Sequence, residues 1–216
     1  MSINIASYQS IKAAITGKAS LVAVSKIKPV EDIQALYNLG QRDFGENYVQ
    51  ELVDKEARLP KDICWHFIGH LQSNKVKYIA PFVHLIHGVD SFNLLKEINK
   101  QAAKNNRIIS CLLQVHIAQE ETKFGFDLQE LENATNQLHE LKNVYVKGLM
   151  GMASFSDDEQ KVRSEFKQLK LVFDSLSIQH SAFSILSMGM SGDYKWAIEE
   201  GSNMVRIGSL LFGARL

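Results

Sequence analysis

The chain has 216 residues, 45% apolar and 22% charged, and its 24 lysines plus arginines balance 24 aspartates plus glutamates to a formal net charge of zero. That composition is ordinary for a globular domain, and the balance removes any electrostatic argument for nucleic acid or an anionic membrane as a partner. No stretch approaches the ~20 apolar residues of a membrane helix, Met1 to Lys18 lacks the apolar run of a signal peptide, and Cys64 and Cys111 lie in apolar runs as reduced core thiols. The expectation is one soluble, cytoplasmic domain over 1–216, with a monomer favoured.

Short apolar runs alternate with longer amphipathic stretches along the chain. Leu21 to Ser25 reads as a strand, and Val30 to Leu39 as a helix ended by Gly40. A short strand at Asp43-Phe44 precedes a charged helix from Tyr48 to Arg58. A strand over Cys64 to Ile68 is followed by a short helix, Asn74 to Ala80, stopped by Pro81. Leu85 to Val89 is a strand, and Ser91 caps a helix running to about Asn105. The remaining pairs are Ile109 to Ile117 with Leu128 to Leu141, Val144 to Met150 with Asp157 to Leu176, and Phe183 to Met188 with Tyr194 to Glu200. Met204 to Ile207 is the last strand, before a closing segment to Leu216.

That is eight strand–helix units in strict alternation. The strands are nearly continuous apolar runs, as parallel strands covered on both faces must be. A doubly wound open sheet is the competing architecture. The count of eight, and the lack of a Gly-rich dinucleotide turn after the first strand, favour a single (β/α)₈ TIM barrel.

In such a barrel, chemistry belongs at the carboxyl ends of the strands. Ser187, Gly189, Ser191, Gly208 and Ser209 follow strands seven and eight, where barrels often bind phosphate. Glycine admits close backbone approach and serine donates hydrogen bonds. Either loop alone reads as an ordinary turn; both together point to phosphate. Lys26 ends the first strand, and its amine becomes nucleophilic when desolvation or a neighbouring cation such as Lys28 lowers its pKa. From spacing alone a solvated loop lysine accounts for it better. Arg206, inside the last strand, needs a partner: an ion pair, or an acceptor such as a ring nitrogen or carboxylate. His66, inside strand three, reads first as a satisfied core histidine. The seven histidines show no metal-ligand spacing, so no metal is expected.

Five runs, in order, resemble the pyridoxal-phosphate homeostasis family. They are Ala23-Val24-Ser25-Lys26 with Lys28-Pro29; Phe44-Gly45-Glu46-Asn47-Tyr48; His66 through Lys75; Ser187-Met188-Gly189-Met190-Ser191; and Arg206-Ile207-Gly208 with Phe212-Gly213. The resemblance implies a barrel of the alanine racemase N-terminal type holding pyridoxal 5′-phosphate (PLP) as a Schiff base on Lys26. It implies Asn47 near the phenolic oxygen and Arg206 by the pyridine nitrogen. The phosphate would lie in the loops carrying Ser187, Gly189, Met190, Ser191, Gly208 and Ser209. His66 is counted with the cofactor-binding set, and Lys123 resembles another family lysine near the site. Ile27 and Gly192 depart from the family's usual polar residues.

Arg206 can only donate hydrogen bonds, so it would leave the pyridine nitrogen unprotonated and weaken the cofactor as an electron sink. Racemases of this fold take a base from a second domain, and this chain has no residues left to build one. The expected role is therefore a carrier that buffers PLP and supplies it to PLP-dependent apoenzymes, with no catalytic residue assigned. The alternatives are a weak PLP-dependent amino-acid racemase, or a barrel enzyme for another phosphorylated metabolite with Lys26 unmodified.

Overall fold

Eight parallel strands close into a barrel in chain order: β1 (Ser20–Val24), β2 (Asp43–Glu46), β3 (Cys64–Phe67), β4 (Leu85–Val89), β5 (Ile109–Gln114), β6 (Val144–Met150), β7 (Ile185–Ser187) and β8 (Met204–Ile207). The computed structural model describes residues 3–118 and 124–213. β8 returns to pair with β1, Leu21 opposite Val205 and Ala23 opposite Ile207, so the sheet has no free edge. The helices alternate with the strands: α1 (Ile5–Ile15), α2 (Val30–Asn38), α3 (Val49–Arg58), α4 (Val76–Ile79), α5 (Phe92–Lys104), α6 (Leu128–Asn136), α7 (Glu159–Gln179), α8 (Tyr194–Glu199) and α9 (Ser209–Phe212). The barrel and its alternation are thus as expected from the sequence. Among the described residues no helix is long and apolar enough to cross a membrane.

Strand alternation sorts the apolar side chains into two sets. Val22, Leu85, Leu112, Met150 and Met204 fill the barrel interior. Leu21, Ala23, Phe44, Trp65, Phe67, Ile86 and Leu113 point the other way, into the larger core under the helices. Both faces are buried, which is why the strands read as continuous apolar runs.

Several boundaries moved for identifiable reasons. α1 was not anticipated; the Asn4 side chain caps it by accepting from the Ser7 N–H at 2.9 Å, and it buries Tyr8, Ile11 and Ile15. The Asn4 N–H donates to the Leu211 carbonyl at 2.7 Å, so the first helix is tied to the last. β2 runs on to Glu46, two residues past the predicted end. β5 stops at Gln114 rather than Ile117, because the Gln114 carbonyl is taken by the Phe126 N–H at 2.8 Å. The helix predicted over 128–141 breaks after Asn136 into a 3₁₀ turn over Leu138–Glu140.

Gly148 shows how tightly β6 and β7 approach. Its φ is +148°, and a Cβ there would lie 1.9 Å from the Ile185 carbonyl oxygen. Gly148→Ala should therefore cost about 2 kcal/mol or more, through overpacking and backbone strain together. Urea unfolding measures this directly; an unchanged midpoint and slope would mean that β6 and β7 separate without penalty.

Candidate cofactor site

The loop after β1 is pinned on both sides of Lys26. Ser25 is fully buried; its N–H donates to the Gly45 carbonyl at 3.0 Å and its hydroxyl donates to Glu46 Oε1 at 2.6 Å. Its carbonyl accepts from Lys55 Nζ at 2.7 Å. On the other side Ile27 has φ +62°, and its N–H donates to Glu51 Oε1 at 2.6 Å. A β-branched residue in the left-handed region is strained by roughly 1–3 kcal/mol, and persists only where neighbours over-determine it. Lys28 closes the turn with its N–H on the Ser25 carbonyl at 3.0 Å, and its Nζ donates to the Phe212 carbonyl at 2.8 Å. Lys28 thus anchors the loop to α9. The half-buried Lys26 is presented from a fixed turn at the carboxyl end of β1.

One cation organises this clamp. Lys55 Nζ, on α3, reaches the Ser25 carbonyl, Glu46 Oε1 at 2.7 Å and Glu51 Oε1 at 2.6 Å, which uses its three donors. Burial pushes the Glu46 carboxyl up to about 7, outweighing Lys55 and the Ser25 hydroxyl, which act to lower it. Sequence reasoning missed this network. The available signal was a glutamate at the end of one strand followed by Glu51 and Lys55 one helical turn apart.

Asn47 follows β2 directly, and its Oδ1 is buried with no hydrogen-bond partner among the described residues. Gly69, beyond β3, crosses so close that a Cβ would sit 2.4 Å from the Asn47 carbonyl oxygen. That contact fixes the Asn47 backbone at the mouth of the barrel.

The loops after β7 and β8 also meet. Ser191 Oγ accepts from the Gly208 N–H at 3.2 Å, and the Arg206 N–H donates to the Gly189 carbonyl at 3.0 Å. Gly189 has φ +97°, and a Cβ there would lie 2.6 Å from the Ala197 Cβ, so only glycine fits. The Met190 N–H is taken by Asp193 Oδ1 at 2.5 Å, while Ser209 is exposed at the start of α9. The structure therefore brings Gly189, Ser191, Gly208 and Ser209 to one end of the barrel, with Lys26 and Asn47.

Ser187 and His66 lie elsewhere, inside the barrel. Arg206 Nη1 donates to the Ser187 carbonyl at 2.9 Å and to Ser187 Oγ at 2.7 Å, and its Nη2 donates to the Gly151 carbonyl at 3.0 Å. Ser187 Oγ also meets His87 Nδ1 at 3.2 Å; His87 Nε2 meets His66 Nδ1 at 2.9 Å, and His66 Nε2 meets Asp43 Oδ1 at 3.0 Å. Five side chains thus form one hydrogen-bonded file from β8 to the first residue of β2. Burial, with the His66 and Arg206 charges, holds His87 well below the usual histidine range. Burial lowers Arg206 to about 10, which leaves it cationic at neutral pH. With one proton on each imidazole the file has a single consistent direction. Arg206 can only donate and the Asp43 carboxylate can only accept, so each intervening group passes a proton toward Asp43. His87 and Asp43 were not singled out in the sequence. Their signal was a polar residue at an inward position of a strand, the same signal that marked Arg206. Lys123 lies outside the described residues.

A family model for the alanine racemase N-terminal domain matches residues 5–216. The pyridoxal phosphate homeostasis protein of Aquifex aeolicus is 45% identical over 199 residues, 91% of this chain and 87% of that protein. The one from Synechocystis is 38% identical over 212 residues, 97% of each. The chain belongs to the pyridoxal phosphate homeostasis protein family. Among solved structures, PipY of Synechococcus elongatus with PLP bound matches with a TM-score of 0.89 at 34% identity, covering 96% of this chain and 99% of that one. Alanine racemase of Bartonella henselae shares the fold at a TM-score of 0.72 and 17% identity, and this chain covers 57% of its length.

The raised Glu46 carboxyl carries a sign. An acid whose pKa rises on folding binds more protons folded than unfolded between the two values, so stability falls as pH climbs through that window. From about 4.5 to about 7, the wild type should lose stability relative to Glu46→Gln, which cannot titrate there. Chemical denaturation of both proteins across that range checks it; a gap of constant size would show that Glu46 titrates as it does in the unfolded chain.

Proposed function

We propose that this chain is a cytoplasmic, monomeric, single-domain PLP carrier that holds the cofactor as a Schiff base on Lys26, buffers it, and supplies it to PLP-dependent apoenzymes. The observation that carries the reading is the clamp on Lys26, which opens beside an unpartnered Asn47 oxygen and the joined Ser191 and Gly208 loops. A buried carbonyl-type oxygen without a partner costs about 1–3 kcal/mol unless a ligand or water satisfies it. The names of the relatives and the PLP-bound PipY structure support the cofactor's identity.

The residues fit the cofactor group by group. Lys26 supplies the amine, and the Asn47 amide faces the ring. Gly189, Met190, Ser191, Gly208 and Ser209 form the phosphate end, where serine hydroxyls and glycine-flanked backbone suit an anion. Arg206 would meet the ring nitrogen with the donors left beyond its three bonds to protein. Ser187 and His66 act through Arg206, the first directly and the second by way of His87. Bound there, PLP supplies an electrophilic aldehyde. The protein's contribution would be to fix the amine, hydrogen-bond the phosphate and, through a donor-only arginine, keep the ring nitrogen unprotonated. That last feature discourages carbanion chemistry and favours holding over turnover.

Two measurements test this. Protein mixed with PLP should turn yellow, and borohydride should fix the cofactor on one peptide containing Lys26. Lys26→Ala should abolish both signals while keeping the same circular dichroism. An adduct mapping to another lysine would remove Lys26 from its role. Incubation of the loaded protein with L-amino acids in deuterium oxide should show no appreciable α-proton exchange by NMR; fast exchange would replace the carrier with the racemase.

A further inference from the structure

We propose that Asp43, His66 and His84 form a binding site for a first-row divalent metal of the zinc class at the amino-terminal end of the barrel, opposite the cofactor site. Residues 43, 66 and 84 are too far apart in sequence for any ligand-spacing motif. The barrel brings them together because β2, β3 and β4 are consecutive staves: Asp43 opens β2, His66 points inward from β3, and His84 stands one residue before β4. One ligand atom from each lies within 4.8 Å of the others. Asp43 Oδ1 and His66 Nε2 are already 3.0 Å apart. Ligands at zinc distances of 2.0–2.2 Å sit roughly 3.3 Å from one another in a tetrahedron. Only the exposed His84 ring, 5.4 Å from His66 between centroids, has to close in.

Burial is graded as a metal site requires. The His66 side chain is 1% exposed and that of Asp43 38% exposed, so the site has a rigid inner ligand and an outer face open to water. His66 Nδ1 is bonded to His87, which is bonded to Ser187, and this fixes the ring that presents Nε2. The donors also select the metal. Two imidazoles and one carboxylate suit zinc, cobalt or iron, whereas magnesium and calcium prefer oxygen. Lys147 and Arg107 near His84, and Lys12 near Asp43, oppose any dication, so binding has to come from the ligand bonds themselves.

The site has a built-in consequence at the other end of the file. In the metal-free protein the His66 Nε2 proton points at Asp43. A metal on Nε2 displaces it, so the one proton of His66 must sit on Nδ1 and donate to His87 Nε2. His87 then carries its proton on Nδ1 and donates to Ser187 Oγ. Each imidazole keeps one proton and Ser187 keeps its hydroxyl hydrogen, but that hydrogen no longer points at His87. Metal at one mouth of the barrel therefore turns the Ser187 hydroxyl beside Arg206.

The test uses the untagged, chelator-treated chain without PLP, so its outcome is independent of the cofactor reading. Calorimetric titration with Zn²⁺ should give about one ion per chain, lost on a large excess of chelator and not displaced by Mg²⁺. Removing a ligand should weaken binding by at least the 10–100-fold seen when an outer-shell partner is lost. His84→Ala, at an exposed position, and Asp43→Asn should both show this, while His70→Ala, in the separate His70–Asp90 pair, should not. Nitrogen-15 NMR of wild type should show His66 and His87 exchanging an Nε2 proton for an Nδ1 proton on Zn²⁺ addition. Co²⁺ should give a visible ligand-field spectrum without a thiolate charge-transfer band. Absence of stoichiometric binding, binding that survives His84→Ala, an unchanged His66 tautomer, or a thiolate band from Cys64 would each overturn the site.

Discussion

The interior of this barrel is organised around a buried cation. Arg206 projects from β8 into the barrel interior, among the apolar Val22, Leu85, Leu112, Met150 and Met204 and the polar Ser187, His87 and His66. Its described bonds run to two backbone carbonyls and a hydroxyl, none of which carries charge. Desolvating a guanidinium without a contacting carboxylate is costly, since neutral acceptors restore only part of what water gave it. The nearest compensation comes from Asp193, which raises the Arg206 pKa electrostatically while its own Oδ1 accepts from Met190. Among the described residues no carboxylate contacts this positive charge. The charge dictates the polarity of everything inward of it. Ser187 must accept from Arg206, and the two histidines and Asp43 follow in a fixed order.

The clamp around Lys26 answers a different constraint. A lysine that must meet a ligand in one geometry cannot sit on a loop that samples many. Here the positions of Ser25 and Ile27 are set by Lys55, Glu46 and Glu51, and the loop is set by α3 rather than by its own sequence. The strained Ile27 backbone is the mark of that imposition. Because the Glu46–Lys55 pair is buried, losing Lys55 leaves Glu46 without the cation that favours its charged form, whereas losing Glu46 leaves Lys55 still paired with Glu51.

The parts that were legible in the sequence are those with a local signal. Apolar runs of strand length, punctuated by Gly40, Pro81 and Ser91, were enough to count eight units. Lys26, Gly189, Ser191 and Gly208 stood at strand ends, where a barrel puts its chemistry. What remained hidden depends on which strands lie side by side and which way a side chain points. His66 read as a core histidine or a cofactor contact; both its nitrogens turn out to be engaged, toward His87 and Asp43. Ser187 read as part of a phosphate loop, yet its parity on β7 turns it inward to Arg206. No spacing rule connects residues 43, 66, 84 and 87, because only the side-by-side pairing of β2, β3 and β4 makes them neighbours. The helix α1 was missed because its apolar residues Tyr8, Ile11 and Ile15 are thinly spread among polar ones, and its cap Asn4 lies close to the chain start.

The same geometry bears on holding against turnover. Moving an α-proton needs a group within hydrogen-bond reach whose proton can leave and return near neutral pH. Around Lys26 the described ionisable groups are committed: Lys28 to the Phe212 carbonyl, Lys55 to three oxygens, Glu51 to Lys55 and the Ile27 N–H. Glu46 has a pKa in the useful range, but its Oε1 is locked by Ser25 and Lys55, and its Oε2 is buried without a partner. His87 is neutral and sealed inside the barrel, below the mouth. Each of these groups serves the position of Lys26 or Arg206. The described titratable groups around Lys26 are thus spent on holding its loop in one geometry.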